Sequence, residues 1–146
     1  MSIKSVYLSG RIEGISYDEA NKTRNKIVAE FCKHNIFCYN PMRGKEILKN
    51  VDSIDSTNHN IEMQEIVSRD LADIQKSDAL IVTTGDSPSW GTAMEVGYII
   101  GKYGIYQRPI FVYMKSNYNS RYGWLNFLAT KIFNDIDTMI EYIAKF

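Results

Sequence analysis

Apolar residues along this chain fall into short dense runs separated by longer stretches of helical spacing, and that alternation predicts the fold. The run "IKSVYLS" (3–9) alternates and stops at Gly10, predicting a first strand with a turn at its C-terminal end. From Asp18, "DEANKTRNKIVAEFCKH" repeats Ala20, Ile27, Val28 and Phe31 at helical spacing, with acidic residues in the first turn where they favour initiation. "NIFCYN" is a short strand stopped by Pro41. Residues 43–60 carry the weakest pattern, a helical turn around "GKEILKN" and then a polar loop, "DSIDSTNHN". A second helix is predicted over 61–76, with Met63, Ile66, Val67, Leu71 and Ile74 as its apolar stripe. "DALIVTT" (78–84) reads as a buried strand and "GDSPSWG" as a turn-rich loop. An apolar helix runs from about 91 to 104, and "PIFVYM" (109–114) is a fourth strand. A loop and short helix, "SNYNSRYGWLNFLA", lead to a fifth strand, "KIF". The last segment, "DIDTMIEYIAKF", is a helix with apolar Ile136, Met139, Ile140 and Ile143.

Strands that alternate with helices pack most economically as a parallel sheet covered on both faces. The expectation is an α/β, flavodoxin-like (Rossmann-like) three-layer sandwich with a five-stranded parallel sheet, forming one domain over residues 1–146. No internal repeat, linker or low-complexity segment interrupts it. Ligands of such sheets bind beyond the carboxyl ends of the strands, where the crossovers change side. That rule brings the turn after strand one, "SGRIEG", beside the loop after strand three, "GDSPSWG".

Composition narrows the picture by exclusion. Seventeen Lys and Arg balance seventeen Asp and Glu, so charge supplies no reason to expect nucleic acid or a membrane surface as partner. Cys32 and Cys38 are too few for a disulfide framework and are expected as buried, reduced thiols. His34 and His59 have no acidic or thiol partners at ligand spacing, and neither metal nor cofactor is expected. "MSIKSVYLSG" lacks a secretory pattern and no apolar run approaches membrane-spanning length, so the expected location is the cytoplasm. The Tyr-rich stretch around "YGIYQRPIFVYM" lacks a basic groove and reads as core or subunit interface rather than a base-stacking platform.

Two carboxylates stand out because they sit in apolar surroundings. Glu95 lies about one turn into the otherwise apolar third helix, near the positive end of its dipole, where an ionised carboxylate is favoured. There it can act as a nucleophile or stabilise developing positive charge; the plainer reading is a first-turn glutamate that only aids helix initiation. Asp70 follows Ile66 by four residues and precedes Ile74 by four, placing it on the buried stripe of the second helix. A carboxyl there has its pKa raised and suits proton transfer, unless it only bonds backbone groups of a neighbouring loop. Glu62 sits at the start of that helix and Asp73 falls off the stripe, so both are expected in solvent. Tyr7, at the end of strand one, can orient a carboxylate or serve as an ordinary strand aromatic. The Gly-bounded "SGRIEG" can present backbone N–H groups to a phosphate or sugar, and Ser87 and Ser89 precede a helix start, where they bind anions or cap the helix.

The order "VYLSGRIEG", "SRDLADIQKSDALIV", "SPSWGTAMEVGYIIGK" resembles the nucleoside 2-deoxyribosyltransferase family across about three quarters of the chain. The resemblance implies cleavage or transfer at the N-glycosidic bond of (2′-deoxy)ribonucleosides or their 5′-monophosphates. The glutamate matching Glu95 attacks the anomeric carbon to form a glycosyl-enzyme ester, the tyrosine matching Tyr7 positions it, and the aspartate matching Asp70 handles the base or its departing proton. An oxocarbenium-like transition state favours an anionic partner, which agrees with the reading of the residues alone. The substrate-binding set that follows is Ser9, Gly10, Arg11, Ile12, Gly14, Ser87, Ser89, Gly91 and Met94, with Asn126 donated by a neighbouring subunit of a homo-oligomer; Asn119 and Ser120 are the other candidates for that donated residue. Ser89, six residues before the glutamate, stands where transferases of free nucleosides carry an aspartate for the sugar 5′-hydroxyl. A serine in P-S-x-G resembles instead the nucleoside 5′-monophosphate N-glycosidases, since a hydroxyl can donate to a phosphate that an aspartate would repel. Those glycosidases also carry an arginine in the first loop where this chain has Glu13, with Arg11 nearby. The transferase therefore stays ahead of the glycosidase and of a non-catalytic nucleotide-binding or sensing module. Cytokinin-activating phosphoribohydrolases, which share G-T-x-x-E, rank lower because "PSW" replaces their "PGG".

Overall fold

The computed structural model describes residues 2–55, 62–85, 88–115 and 122–146. Its elements are β1 (Ser5–Gly10), α1 (Tyr17–Lys33), β2 (Phe37–Tyr39), a 3-10 turn (Glu46–Leu48) and α2 (Met63–Lys76), then β3 (Ala79–Thr83) and α3 (Trp90–Tyr103). After them come β4 (Ile110–Tyr113), α4 (Gly123–Leu128), β5 (Lys131–Phe133) and α5 (Ile136–Ala144). The five strands are all parallel in the order β2-β1-β3-β4-β5, the expected flavodoxin-like arrangement. The chain leaves β1 toward β2, then returns across it to β3, so the switch point lies between the carboxyl ends of β1 and β3.

Period-two alternation within each strand divides the core into two layers. Val6, Leu8, Ala79 and Ile81 face α1 and α5, where they pack on Ile27, Phe31, Met139 and Ile140. Tyr7, Leu80 and Val82 face the other way and pack with Ile74 of α2, Val96 and Ile99 of α3 and, at its edge, Leu125 and Leu128 of α4. Each large apolar side chain buried this way contributes roughly 1.5–3 kcal/mol. A third, smaller cluster of Ala20, Met42, Leu48 and Ile54 lies beneath the loops after β1 and β2.

Local capping explains where helices begin. Ser16 accepts a hydrogen bond from the Glu19 amide to start α1, Ser89 accepts from Thr92 to start α3, and Asp135 accepts from Thr138 to start α5. The Asp78 carboxylate accepts from the Lys4 and Ser5 amides at 2.8 and 3.0 Å, which anchors the start of β1 to that of β3.

Three expectations need correction. Cys32 is exposed, because it follows the buried Phe31 by one position and so turns outward; Cys38 is half-buried, and both thiols are free. On α2, Met63 and Val67 remain exposed although they belong to the apolar stripe. The first half of that stripe borders an open cleft, and only from Leu71 and Ile74 onward does it reach the sheet. Asp73, expected in solvent, is 3% exposed and paired with Arg43, because the loop after β2 covers that side of α2. Among the described residues, no helix is long and apolar enough to cross a membrane.

Candidate active site

At the carboxyl end of β1, alternation turns Tyr7 and Ser9 toward α2 and α3. The Ser9 hydroxyl donates to Glu95 Oε1 at 2.8 Å. The Tyr7 hydroxyl is buried near Glu95 without an aligned hydrogen bond to it. Burial, and next the Glu95 and Asp70 charges, push its pKa far up, so it stays a neutral phenol with a proton to donate. Glu95 sits in the second turn of α3, six residues after the Ser89 cap. Burial pushes its pKa up to about 7, against the opposing pull of the Tyr7 and Ser9 hydroxyls. Such a carboxyl is partly ionised at neutral pH.

Asp70 faces the same cleft from α2. Burial raises its pKa, while the charges of Lys45 and Arg69 oppose the rise. Arg69 Nη2 reaches Asp70 Oδ1 at 3.4 Å and also donates to the Pro41 carbonyl at 2.9 Å, tying the carboxyl to the loop after β2. A buried guanidinium, Arg24 of α1, lies beneath the site and donates to the Gly10 carbonyl at 2.8 Å and the Leu8 carbonyl at 3.4 Å. It thereby satisfies carbonyls at the end of β1 while its positive charge lies near the carboxyls of Glu95 and Asp70.

Close approach explains Gly10: a Cβ there would stand 2.4 Å from the Thr83 hydroxyl oxygen and 3.1 Å from Arg24. At Gly14 the backbone turns with φ of +76°, and its amide donates to the Ile54 carbonyl at 2.8 Å. The turn folds Arg11 back so that its Nε donates to the Glu13 carbonyl at 3.0 Å.

The loops after β1 and β3 do converge, around a cleft of about 410 Å³. Tyr7, Gly10, Arg11, Ile12, Asp70, Ser89, Gly91, Met94 and Glu95 all line it. Ser9 lies just behind, bonded to Glu95, and Gly14 shapes the turn rather than the wall. Ser87, His59, Asn119 and Ser120 lie outside the described residues. Asn126 is on α4 and does not line the cleft of its own chain; its Oδ1 is buried without a partner. An adjoining apolar groove of about 830 Å³, between α3 and α4, shares Arg11, Pro88 and Ser89 with the cleft. Among the described residues no cluster of three His, Cys, Asp or Glu side chains is placed to ligate a metal.

Sequence reasoning missed Arg24, Lys45 and the Arg43–Asp73 pair. Arg24 carried a legible signal, because Ala20, Arg24, Ile27 and Phe31 form one buried stripe of α1. Lys45 lies in the segment with the weakest pattern and carried none. Together the cleft holds one carboxyl supported by a hydroxyl, a second carboxyl with a raised pKa, and a neutral phenol near both. That set can supply a nucleophile, a proton donor and a hydrogen-bond donor to one bound molecule.

Comparison with solved structures agrees on the fold. BlsM, known from a solution structure, superposes with a TM-score of 0.69 at 18% identity, over 98% of this chain and 88% of its own. The 2-deoxyribosyltransferase of Bacillus psychrosaccharolyticus gives 0.65 at 17% identity, over 94% and 91%. The CMP N-glycosidase BcmB of Clostridium botulinum gives 0.58 at 17% identity, over 98% and 100%. No curated protein matches the sequence at a significant level. The family model for nucleoside 2-deoxyribosyltransferases matches residues 6–139, nearly the whole chain. This chain belongs to the nucleoside 2-deoxyribosyltransferase family, whose members act on N-glycosidic bonds.

Proposed function

We propose that this protein is an enzyme of the transferase type, moving a (2′-deoxy)ribosyl group between nucleobases through a covalent ester on Glu95. The observation that carries the reading is the convergence of Glu95, Asp70 and Tyr7 on one cleft from three separate elements. An ionised Glu95 attacks C1′ of the sugar, and the C1′–N bond breaks with its electron pair leaving on the base. Asp70, whose pKa burial raises, gives that base its proton. The phenol of Tyr7 and the hydroxyl of Ser9 hold the carboxylate toward C1′ and limit its wandering. A second base then attacks C1′ through a ring nitrogen and frees Glu95, its proton passing to Asp70. Water in place of that base would give hydrolysis.

One observation favours a second reading, hydrolysis of nucleoside 5′-monophosphates. Ser89 caps the N-terminus of α3 and lines the cleft with Arg11, an arrangement that suits a phosphate. Glu13 lines the same cleft and weighs against it by charge repulsion. The proposal includes a homo-oligomer in which Asn126 serves a neighbouring site. Its support is the unpartnered Oδ1 together with the exposed apolar side chains of Trp124 and Phe127 on the same short helix.

Incubation with deoxynucleosides and deoxynucleoside monophosphates, each with and without a second free base, separates the readings by chromatography of the products. A new nucleoside identifies the transferase. Free base with sugar phosphate identifies the glycosidase. Nucleotide binding without any product would overturn both in favour of a binding module.

A further inference from the structure

Lys45 is 5% exposed and yet its side chain lines the cleft beside Asp70. Its backbone is held firmly: the amide donates to the Met42 carbonyl at 3.2 Å, and its carbonyl accepts from Leu48 at 2.9 Å. Arg69 braces the preceding turn by donating to the carbonyls of Pro41 and Arg43, each at 2.9 Å, and Arg43 pairs with Asp73. Desolvation lowers the pKa of the ammonium, and the Asp70 charge, with a smaller contribution from Glu13, acts against that. Among the described residues the ammonium forms no direct ion pair or hydrogen bond. The desolvated ammonium borders the cleft without a protein partner among those residues, and a bound acceptor there would offset its desolvation.

We propose that Lys45 determines base specificity, its ammonium donating to an oxo group of the nucleobase and so favouring oxo bases over adenine. The inference rests on the reading that the Asp70 end of the cleft receives the base. A lysine ammonium has three donors and no acceptor. It pairs with a carbonyl oxygen of hypoxanthine, guanine or a pyrimidine, whereas the exocyclic amino group of adenine offers it nothing to bond. As the C1′–N bond breaks, negative charge on the departing base spreads onto that oxygen and strengthens the contact. Asp70 beside it can accept from a ring N–H or donate to a ring nitrogen, so the pair reads adjacent positions on the base.

The test compares release or transfer of base from deoxyinosine and deoxyadenosine, each as free nucleoside and as 5′-monophosphate, in wild type, Lys45→Met and Lys45→Arg. Lys45→Met should lower kcat/KM on deoxyinosine by about tenfold or more and on deoxyadenosine by less than about threefold, with Lys45→Arg keeping most of the preference. The ratio between substrates does not depend on the folded fraction of each variant. An equal loss on both bases would overturn the proposal and make Lys45 a packing residue. A loss that follows the phosphate rather than the base would overturn it as well. If wild type turns over neither these substrates nor the pyrimidine deoxynucleosides and their 5′-monophosphates, the enzymatic reading fails by itself. Base selection is then judged by calorimetric binding of the same nucleosides, where an inosine-to-adenosine affinity ratio unchanged by Lys45→Met sinks it.

Discussion

On the α1–α5 face of the sheet, Val6, Leu8, Ala79, Ile81 and Phe111 meet Ile27, Phe31, Met139 and Ile140, and every one of them is buried. On the α2–α3 face, the alternate residues of the same β1 strand are Tyr7 and Ser9, which meet carboxyl groups instead. Among the described residues, the buried side-chain polar atoms without a partner belong to Tyr7, Arg69, Thr92 and Asn126, and all four residues sit on β1's second face or on α2, α3 and α4. An unsatisfied buried polar group costs roughly 1–3 kcal/mol. The difference teaches that one face of the sheet supplies the stability from which the polar demands of the other are met. Strand alternation makes the division possible, because neighbouring residues of β1 serve opposite layers.

The comparison breaks most sharply at Glu95. Glu95→Gln should lower turnover on the order of 10³-fold or more, because the amide cannot form the ester, while the melting temperature holds or rises. Unchanged turnover in steady-state assays would refute the covalent mechanism. On the opposite face Phe31→Ala should cost about 3–5 kcal/mol in denaturant unfolding while leaving turnover per folded molecule intact. A selective loss of activity there would show that the two faces are coupled more tightly than their packing implies.

The smallest effect is in pH dependence. The folded chain raises Glu95 from its ordinary 4.5 to about 7, so the native state binds that proton more tightly than the unfolded one. The associated stability is fully present below about 4.5 and is lost as pH rises through about 7, a change on the order of 3 kcal/mol. Asp70, also raised, acts in the same direction. The free energy of unfolding measured from pH 5 to 8 should fall in wild type and flatten in Glu95→Gln, whereas turnover in wild type should rise over the same interval. A wild-type stability that climbs through this range would contradict the placement of Glu95 in a desolvated pocket.

Much of the molecule was legible before its structure. The strands and helices follow from period-two and helical spacing, and the observed elements differ from the expected ones by one or two residues at most ends, as at β1, which begins at Ser5 although Ile3 is already buried. Glu95 and Asp70 drew notice because each interrupts an apolar pattern, and the fold brings both to one cleft. The same reasoning failed at Asp73. Periodicity reports the face that a residue takes on its own helix, but the loop from Asn40 to Lys45 covers a second side of α2 and encloses that carboxylate with Arg43. Exposed Met63 and Val67 show the converse, an apolar face turned to an opening.

By itself, the sequence determined the order of strands and helices, the two-sided character of β1 and the presence of carboxylates within apolar stretches. These depend on spacing between near neighbours, which a linear text records. Only the tertiary structure decided which charges meet: Arg24 under the end of β1, Arg43 with Asp73, and Lys45 beside Asp70. Those meetings join residues some 14 to 30 positions apart, and their energies depend on distance and exclusion of water, neither of which is written in the spacing of residues.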